Sequence, residues 1–318
     1  MTADQRLKLR VSAVRCEARD VLLIELRDPA GAQLPPFTAG AHLEITLAPQ
    51  LVRHYSLCSD PAERDRYWLG IGLARDSRGG SKRIHDTVRV GSSLTVGLPR
   101  NNFPLDGSND LAVFIAGGIG ITPVMAMIRA CAASGRPWRL YYCTRNRQRT
   151  AFYEDLRALP PERIHFHFDD EQPALFDAAA RLAEVPAAGH IYCCGPAPLM
   201  NAVQAATAGR DPERVHFEWF TAAEVDNSAD QPFEILLRNR GKRLNVPAGR
   251  SILEVLEDAG EGVPYSCREG LCATCRTPVL AGIPDHRDSV LSAAERAAND
   301  QVLICVSRAK TAVLELDL

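Results

Sequence analysis

The chain has no surplus of positive charge, no long apolar run, no internal repeat and no low-complexity tract. Its 37 Lys and Arg residues stand against 39 Asp and Glu, a formal net charge of -2. That balance leaves nothing to neutralise a phosphate backbone or an anionic lipid surface, so neither nucleic acid nor membrane is expected as a partner. No stretch reaches the ~20 uninterrupted apolar residues of a membrane span. The opening MTADQRLKLR has neither an apolar h-region nor a small-residue cleavage site, and a cytoplasmic, monomeric protein is expected. Ten cysteines are present. Unevenly spaced and without an export signal, they suit metal ligands and buried thiols better than a disulfide framework.

With 318 residues, 46% of them hydrophobic, the chain is long enough for two or three domains. From Leu7 to about Leu98 it runs in short alternating segments (VLLIELRD, HLEITLAP, RYWLGIGLA, SLTVGLP) separated by Gly, Pro and Asp, which predicts an antiparallel β-barrel. From Asp110 the pattern changes to strand then helix, repeated: LAVFIAGG, ITPVMAMIRACAAS, WRLYYCT, RTAFYEDLRAL, HIYCCG, PAPLMNAVQAATA. Such alternation predicts a parallel α/β sheet. Thr221 to Pro232, TAAEVDNSADQP, is polar, small and aperiodic and reads as a linker. Beyond it, FEILLRNRGKRLNVP gives two strands turning at Asn239-Arg240-Gly241, a helix runs from about Ser251 to Gly260, and VLICVSRA and AVLELDL close the chain as strands. The expected architecture is multidomain, β and α/β, in three segments: 1–104, 105–225 and 226–318.

In CREGLCATC, Cys267 and Cys272 are separated by four residues and Cys272 and Cys275 by two, while Cys305 arrives from a distant strand. Four thiolates at the plant-type spacing suit a 2Fe-2S cluster. A four-cysteine zinc site, usually written as two close pairs, is the chemical rival. Gly270 within the loop allows a positive φ and the approach of N–H groups to sulfur.

The strand LAVFIAGG runs into Gly118-Ile119-Gly120-Ile121-Thr122-Pro123 and a helix. Glycines permit close approach of a diphosphate, Thr122 is placed to cap the helix, and Pro123 suits its first turn. A second strand ends at Cys194-Gly195-Pro196, where parallel sheets bind ligands. A nicotinamide gives up two electrons as hydride and the cluster takes one, so a chain holding both needs a converter, and flavin is the usual one. Arg53-His54-Tyr55-Ser56 on a barrel strand, and Arg78-Gly79-Gly80-Ser81 before a short helix, offer a hydroxyl, arginines and exposed N–H groups for it.

Residues 232 to 318 closely resemble the plant-type ferredoxin domain, implying a β-grasp fold with Cys267, Cys272, Cys275 and Cys305 as the metal ligands. The two glycine turns and RHYSL resemble the ferredoxin-NADP reductase superfamily. That resemblance implies that Gly118, Gly120, Thr122, Pro123, Cys194, Gly195 and Pro196 line the nucleotide, with Thr144 and Arg145 nearer its adenosine half. It also implies that Arg53 meets the flavin phosphate, Tyr55 lies along the ring with His54 beside it, Ser56 reaches the N5 edge, Gly70, Ile71 and Gly72 border the ring, and Phe220 lies near it. Ser56 and Cys194 are then the residues at the reacting end.

The order barrel, nucleotide domain, ferredoxin resembles the phthalate dioxygenase reductase family and implies FMN rather than FAD. The implied function is to pass electrons from NADH through FMN and the 2Fe-2S cluster to a Rieske-type oxygenase. Arg145, Arg147 and Arg149 form a small basic cluster that would instead suit the 2′-phosphate of NADPH. A self-sufficient NADH oxidase or ferric reductase is the enzymatic alternative, and a redox-sensing ferredoxin module the non-enzymatic one.

Overall fold

The computed structural model describes residues 6–49, 51–74, 79–222 and 227–318. They form two compact units, Met1–Glu218 and Trp219–Leu318.

The first unit begins with β1 (Arg6–Ala18), β2 (Val21–Arg27), β3 (His42–Ala48), β4 (Leu51–Ser56), β5 (Tyr67–Gly72), helix α1 (Gly80–Thr87) and β6 (Ser93–Gly97). The strands pair in the order β4-β3-β6-β1-β2-β5. Past the end of β4, Leu57 bridges Leu69 and the Cys58 N–H donates to the Trp68 carbonyl at 2.9 Å. These links join the two edge strands, so the sheet closes as the alternating pattern predicts. Inward residues such as Leu9, Val11, Leu43, Ile45, Leu69, Ile71 and Val96 are buried, each contributing roughly 1.5–3 kcal/mol. Helix α1 is held to the barrel by fully buried Ile84 and by His85, whose Nε2 lies 2.9 Å from the Ile71 carbonyl.

The same unit continues through β7 (Ala112–Gly117), α2 (Ile121–Ser134), β8 (Trp138–Thr144), α3 (Tyr153–Arg157), β9 (Ile164–Phe168), α4 (Ala178–Ala183), β10 (His190–Cys194), α5 (Ala197–Ala206) and β11 (Val215–Glu218). All pairings are parallel, in the order β11-β10-β7-β8-β9. Every residue of β7 and β10 is buried, which is why they read as unbroken apolar runs. The helix expected over RTAFYEDLRAL is shorter than its pattern. Phe152 takes a left-handed φ of +57° that buries its ring, and the helix starts only after it.

The second unit contains β12 (Phe233–Leu237), β13 (Lys242–Val246), α6 (Ile252–Asp258), β14 (Arg276–Ala281), β15 (Pro284–Asp285), α7 (Ala293–Ala298), β16 (Gln301–Leu303), β17 (Arg308–Ala309) and β18 (Val313–Leu316). Five strands form a mixed sheet, β13-β12-β18-β14-β16, with β12 and β18 parallel at its centre. Ile252, Leu253 and Leu256 of α6 are buried in one core with Ile235, Leu237, Val302 and Leu314. Ser251 and Glu254 cap α6 reciprocally. The run VLICVSRA is not one strand. It leaves the ladder after Leu303, whose carbonyl accepts from the Val306 and Ser307 N–H groups at 3.3 and 3.0 Å, and this turn presents Cys305.

Candidate functional site

On β4 the sequence alternates between faces, and each motif residue meets a different neighbour. Arg53 lies across Gly80: a methyl there would sit 2.5 Å from Arg53 Cγ and 2.9 Å from Nε. Gly79, at φ +89°, opens α1 beneath it, so a guanidinium and the first N–H groups of a helix converge on one small cradle. That cradle fits a phosphate. Ser81 turns its hydroxyl toward the Ala74 N–H, 3.3 Å away, and Arg78 lies outside the described residues. Burial pushes the Tyr55 phenol up to about 12, keeping it neutral. The His54 ring faces Glu44 at 3.4 Å and His42 edge-on, within a group where Arg6 and Arg100 also pair with Glu44.

Ser56, buried at the end of β4, donates a hydrogen bond to Glu218, the last residue of β11. Glu218 is half-buried, its Oε2 is buried with no partner, and burial raises its carboxyl to about 8. Cys194 is its cross-strand neighbour in register. Burial first, then the adjacent Glu218, pushes the Cys194 thiol well above its ordinary value, so it remains a thiol. Three groups able to hold a proton therefore meet where the end of a barrel strand reaches the carboxyl end of the parallel sheet.

The two glycine turns touch backbone to backbone. A methyl on Gly120 would run into the Cys194 carbonyl and lie 2.9 Å from the Gly195 nitrogen; one on Gly195 would lie 3.0 Å from Gly117 Cα. Gly120 has no room for a side chain, and Gly195 is tight. Gly118 is in the left-handed region at φ +52°. Thr122 does not cap α2 as expected: Gly120 is the cap residue, without a side-chain bond. Thr122 already lies in the first turn, and its hydroxyl donates to the Ile119 carbonyl at 2.9 Å. Pro123 is buried in that turn. The barrel strand β5 packs here too, since a methyl on Gly70 would come 2.6 Å from Thr122 Cγ2 and one on Gly72 3.3 Å from Ile119 Cβ. Between them, the Ile71 side chain points into the barrel core, leaving only its backbone for a ligand.

At the end of β8, the Thr144 hydroxyl is shared with Thr150 at 2.8 Å, and Arg145 is exposed. Pro196 begins the approach to α5. Phe220 follows β11 and is exposed. Glu171 follows β9 and grips Arg147 through two bonds of 2.6 and 2.9 Å. No local pattern announces this pair, whose members are 24 residues apart.

In the second unit, Cys267 Sγ accepts from the N–H groups of Glu269 and Leu271 at 3.3 and 3.5 Å, and Cys272 Sγ from that of Cys267 at 3.5 Å. Left-handed residues Arg268, Gly270 and Ala273, at φ +59°, +68° and +57°, turn those donors inward. A methyl on Gly270 would lie 2.7 Å from Val306 Cγ2, in the turn that carries Cys305. The four thiols hydrogen-bond among themselves, which draws the Cys267 and Cys275 values down and the Cys272 and Cys305 values up. Four sulfurs so close cannot all ionise without a cationic centre among them. A 2Fe-2S cluster distributes four thiolates over two irons, and the donor set fits it.

Residues 114–205 match the oxidoreductase NAD-binding domain family, and residues 235–310 match the 2Fe-2S iron-sulfur cluster binding domain family. The chain is 46% identical to phenoxybenzoate dioxygenase subunit beta of Ectopseudomonas oleovorans, over 98% of this chain and 97% of that one. Against the solved phthalate dioxygenase reductase, titled a modular structure for electron transfer from pyridine nucleotides to 2Fe-2S, it is 42% identical over 99% of this chain and 98% of that one, with a TM-score of 0.73. An intact type IV self-sufficient cytochrome P450 monooxygenase matches 98% of this chain at 37% identity and a TM-score of 0.92. This chain spans only 41% of that longer protein. Fold and sites together define a pyridine-nucleotide-dependent iron-sulfur oxidoreductase. The chain belongs to the phthalate dioxygenase reductase family, the electron-supplying members of dioxygenase and monooxygenase systems.

Proposed function

We propose that the chain is the reductase component of a Rieske-type oxygenase system, taking electrons from NADH through FMN and a 2Fe-2S cluster. The observation that carries this reading is the Ser56 to Glu218 hydrogen bond, which brings the barrel motif to the carboxyl end of the sheet that carries both glycine turns. FMN, when bound, supplies the exchange between a two-electron hydride and single electrons, and the cluster supplies a one-electron store.

Segment 1–104 holds the flavin. Arg53, Gly79, Gly80 and Ser81 bind its phosphate, Arg78 contributes from outside the described residues, and Tyr55 and Ser56 orient the ring. Gly70, Ile71 and Gly72 border it through their backbone, with His54 and Phe220 nearby. Segment 105–225 holds the nucleotide. Gly118, Gly120, Thr122, Pro123, Gly195 and Pro196 take its diphosphate and nicotinamide ribose, Thr144 and Arg145 its adenosine end. Neutral Cys194 and Glu218 exclude water and hold protons at Sγ and the carboxyl beside Ser56. Segment 226–318 holds the cluster through Cys267, Cys272, Cys275 and Cys305, and we place the partner surface around Arg268, Glu269 and Arg276.

The protein acts as a monomer in the cytoplasm, where NADH is available and ten unpaired cysteines stay reduced. A haem monooxygenase as electron acceptor is a second reading, favoured by the TM-score of 0.92 to part of an intact self-sufficient cytochrome P450 monooxygenase. Reconstitution with a Rieske oxygenase and with a P450 haem domain, each lacking its own reductase, separates the two. Mass measurement of the flavin released by denaturation is expected to return FMN; recovery of FAD overturns the cofactor assignment.

A further inference from the structure

The direction in which the nucleotide lies follows from topology. Ser56 marks the flavin end beside β11, the two glycine turns follow at β10 and β7, and a dinucleotide continuing the same way reaches the carboxyl ends of β8 and β9. Its adenosine ribose arrives there. In nucleotide-binding sheets an acidic residue at this place accepts from the ribose 2′-hydroxyl of NADH, whereas an arginine takes the 2′-phosphate of NADPH. This chain has both, and they are locked together.

Arg147, beyond β8, gives Nε and Nη2 to the two oxygens of Glu171, beyond β9, at 2.6 and 2.9 Å. Its remaining terminal nitrogen, Nη1, donates to the Tyr153 hydroxyl at 2.7 Å, and the guanidinium lies 4.8 Å over the Phe168 ring. A cavity of about 330 Å³ opens beside it, lined by Arg15, Glu17, Arg147, Gln148, Thr150 and Tyr153. Both members of the pair are largely exposed, at 55% and 40%, so the pair contributes little to folding stability. Arg149 is paired with Asp20 at 2.6 Å, and exposed Arg145 has no ion pair among the described residues.

The bidentate face of a guanidinium serves a carboxylate or a phosphate equally well. Glu171 occupies that face and adds a negative charge that repels a dianion. We infer that Glu171 is the residue that makes this site selective for NADH, by holding Arg147 away from a 2′-phosphate. This inference rests on the nucleotide reading given above.

The test uses the full holoprotein as wild type, Glu171→Gln, and the double variant Arg147→Gln/Glu171→Gln. Catalytic efficiency with NADPH and with NADH is measured under anaerobic conditions, and the affinity for 2′,5′-ADP is measured by calorimetry. Glu171→Gln is expected to raise the NADPH-to-NADH efficiency ratio at least tenfold and to tighten 2′,5′-ADP by a similar factor. The double variant is expected to lose both gains. An NADH-preferring wild type whose ratio moves less than tenfold in Glu171→Gln overturns the role of Glu171 alone. A gain that survives loss of Arg147 overturns the proposed blocking of that arginine. A wild type that prefers NADPH overturns the choice of NADH itself.

Discussion

The Arg53 side chain passes directly over Gly80, so closely that any β-carbon at position 80 would displace its stem. This one contact joins strand β4 to the start of α1 and forms the cradle assigned to the flavin phosphate.

Replacing Gly80 with alanine is therefore expected to push Arg53 aside. Flavin affinity should fall about tenfold or more, since a charge-assisted bond to phosphate is worth about 1.5–3 kcal/mol. Fluorescence titration of the apoprotein with FMN measures it, and unchanged affinity would remove Arg53 from the phosphate site.

Glu218 gives the unit a pH signature opposite to that of a salt-bridged carboxylate. Its folded value, about 8, lies above the ordinary 4.5. Between these values the folded state holds a proton that the unfolded state has released. The stabilisation is complete below about 4.5, declines as pH rises, and is lost above about 8. Glu218→Gln should flatten this slope, with a difference of roughly 3–5 kcal/mol across the window by the shift. Thermal melts at a series of pH values check it; parallel profiles for the two proteins would place the Glu218 titration elsewhere.

At Gly120 the obstruction is backbone, the Cys194 carbonyl, and cannot rotate out of the way. Gly120→Ala should separate the two turns, costing about 2–4 kcal/mol as overpacking does. NADH affinity should fall together with stability, and a variant with normal nucleotide binding would separate the turn contact from the site.

Cys305→Ser is expected to leave reduction of the flavin by NADH intact while abolishing delivery to the oxygenase. Anaerobic stopped-flow absorbance follows the first event. Electron paramagnetic resonance of the reduced protein follows the second, and a full cluster signal would remove Cys305 from the ligand set.

Much of this was legible in the residue pattern because it depends on short spacing. Cys267 to Cys275 fit one loop, and Gly118 to Pro123 one strand-to-helix turn, so their chemistry is written locally. What was hidden depends on distant partners. Thr122 has the residue type of a cap, but Gly120 can approach Cys194 only if the helix begins one residue before Thr122. The run VLICVSRA has strand composition, yet its middle must leave the ladder to present Cys305. Gly70 and Gly72 also make room, by their absent side chains, for Thr122 at the start of α2 and Ile119 in the turn before it, a contact between distant segments that no local pattern shows. The grip of Glu171 on Arg147 links two strand ends that no periodicity connects.

Arg268 and Ala273 sit in left-handed backbone where glycine would be at ease, each at a cost on the order of 1–3 kcal/mol. Around them the sheet and α6 close a core of their own. The loop is thus the part of its unit with most to gain from iron, and without it this should be the first segment of the unit to open while the core around it stays closed.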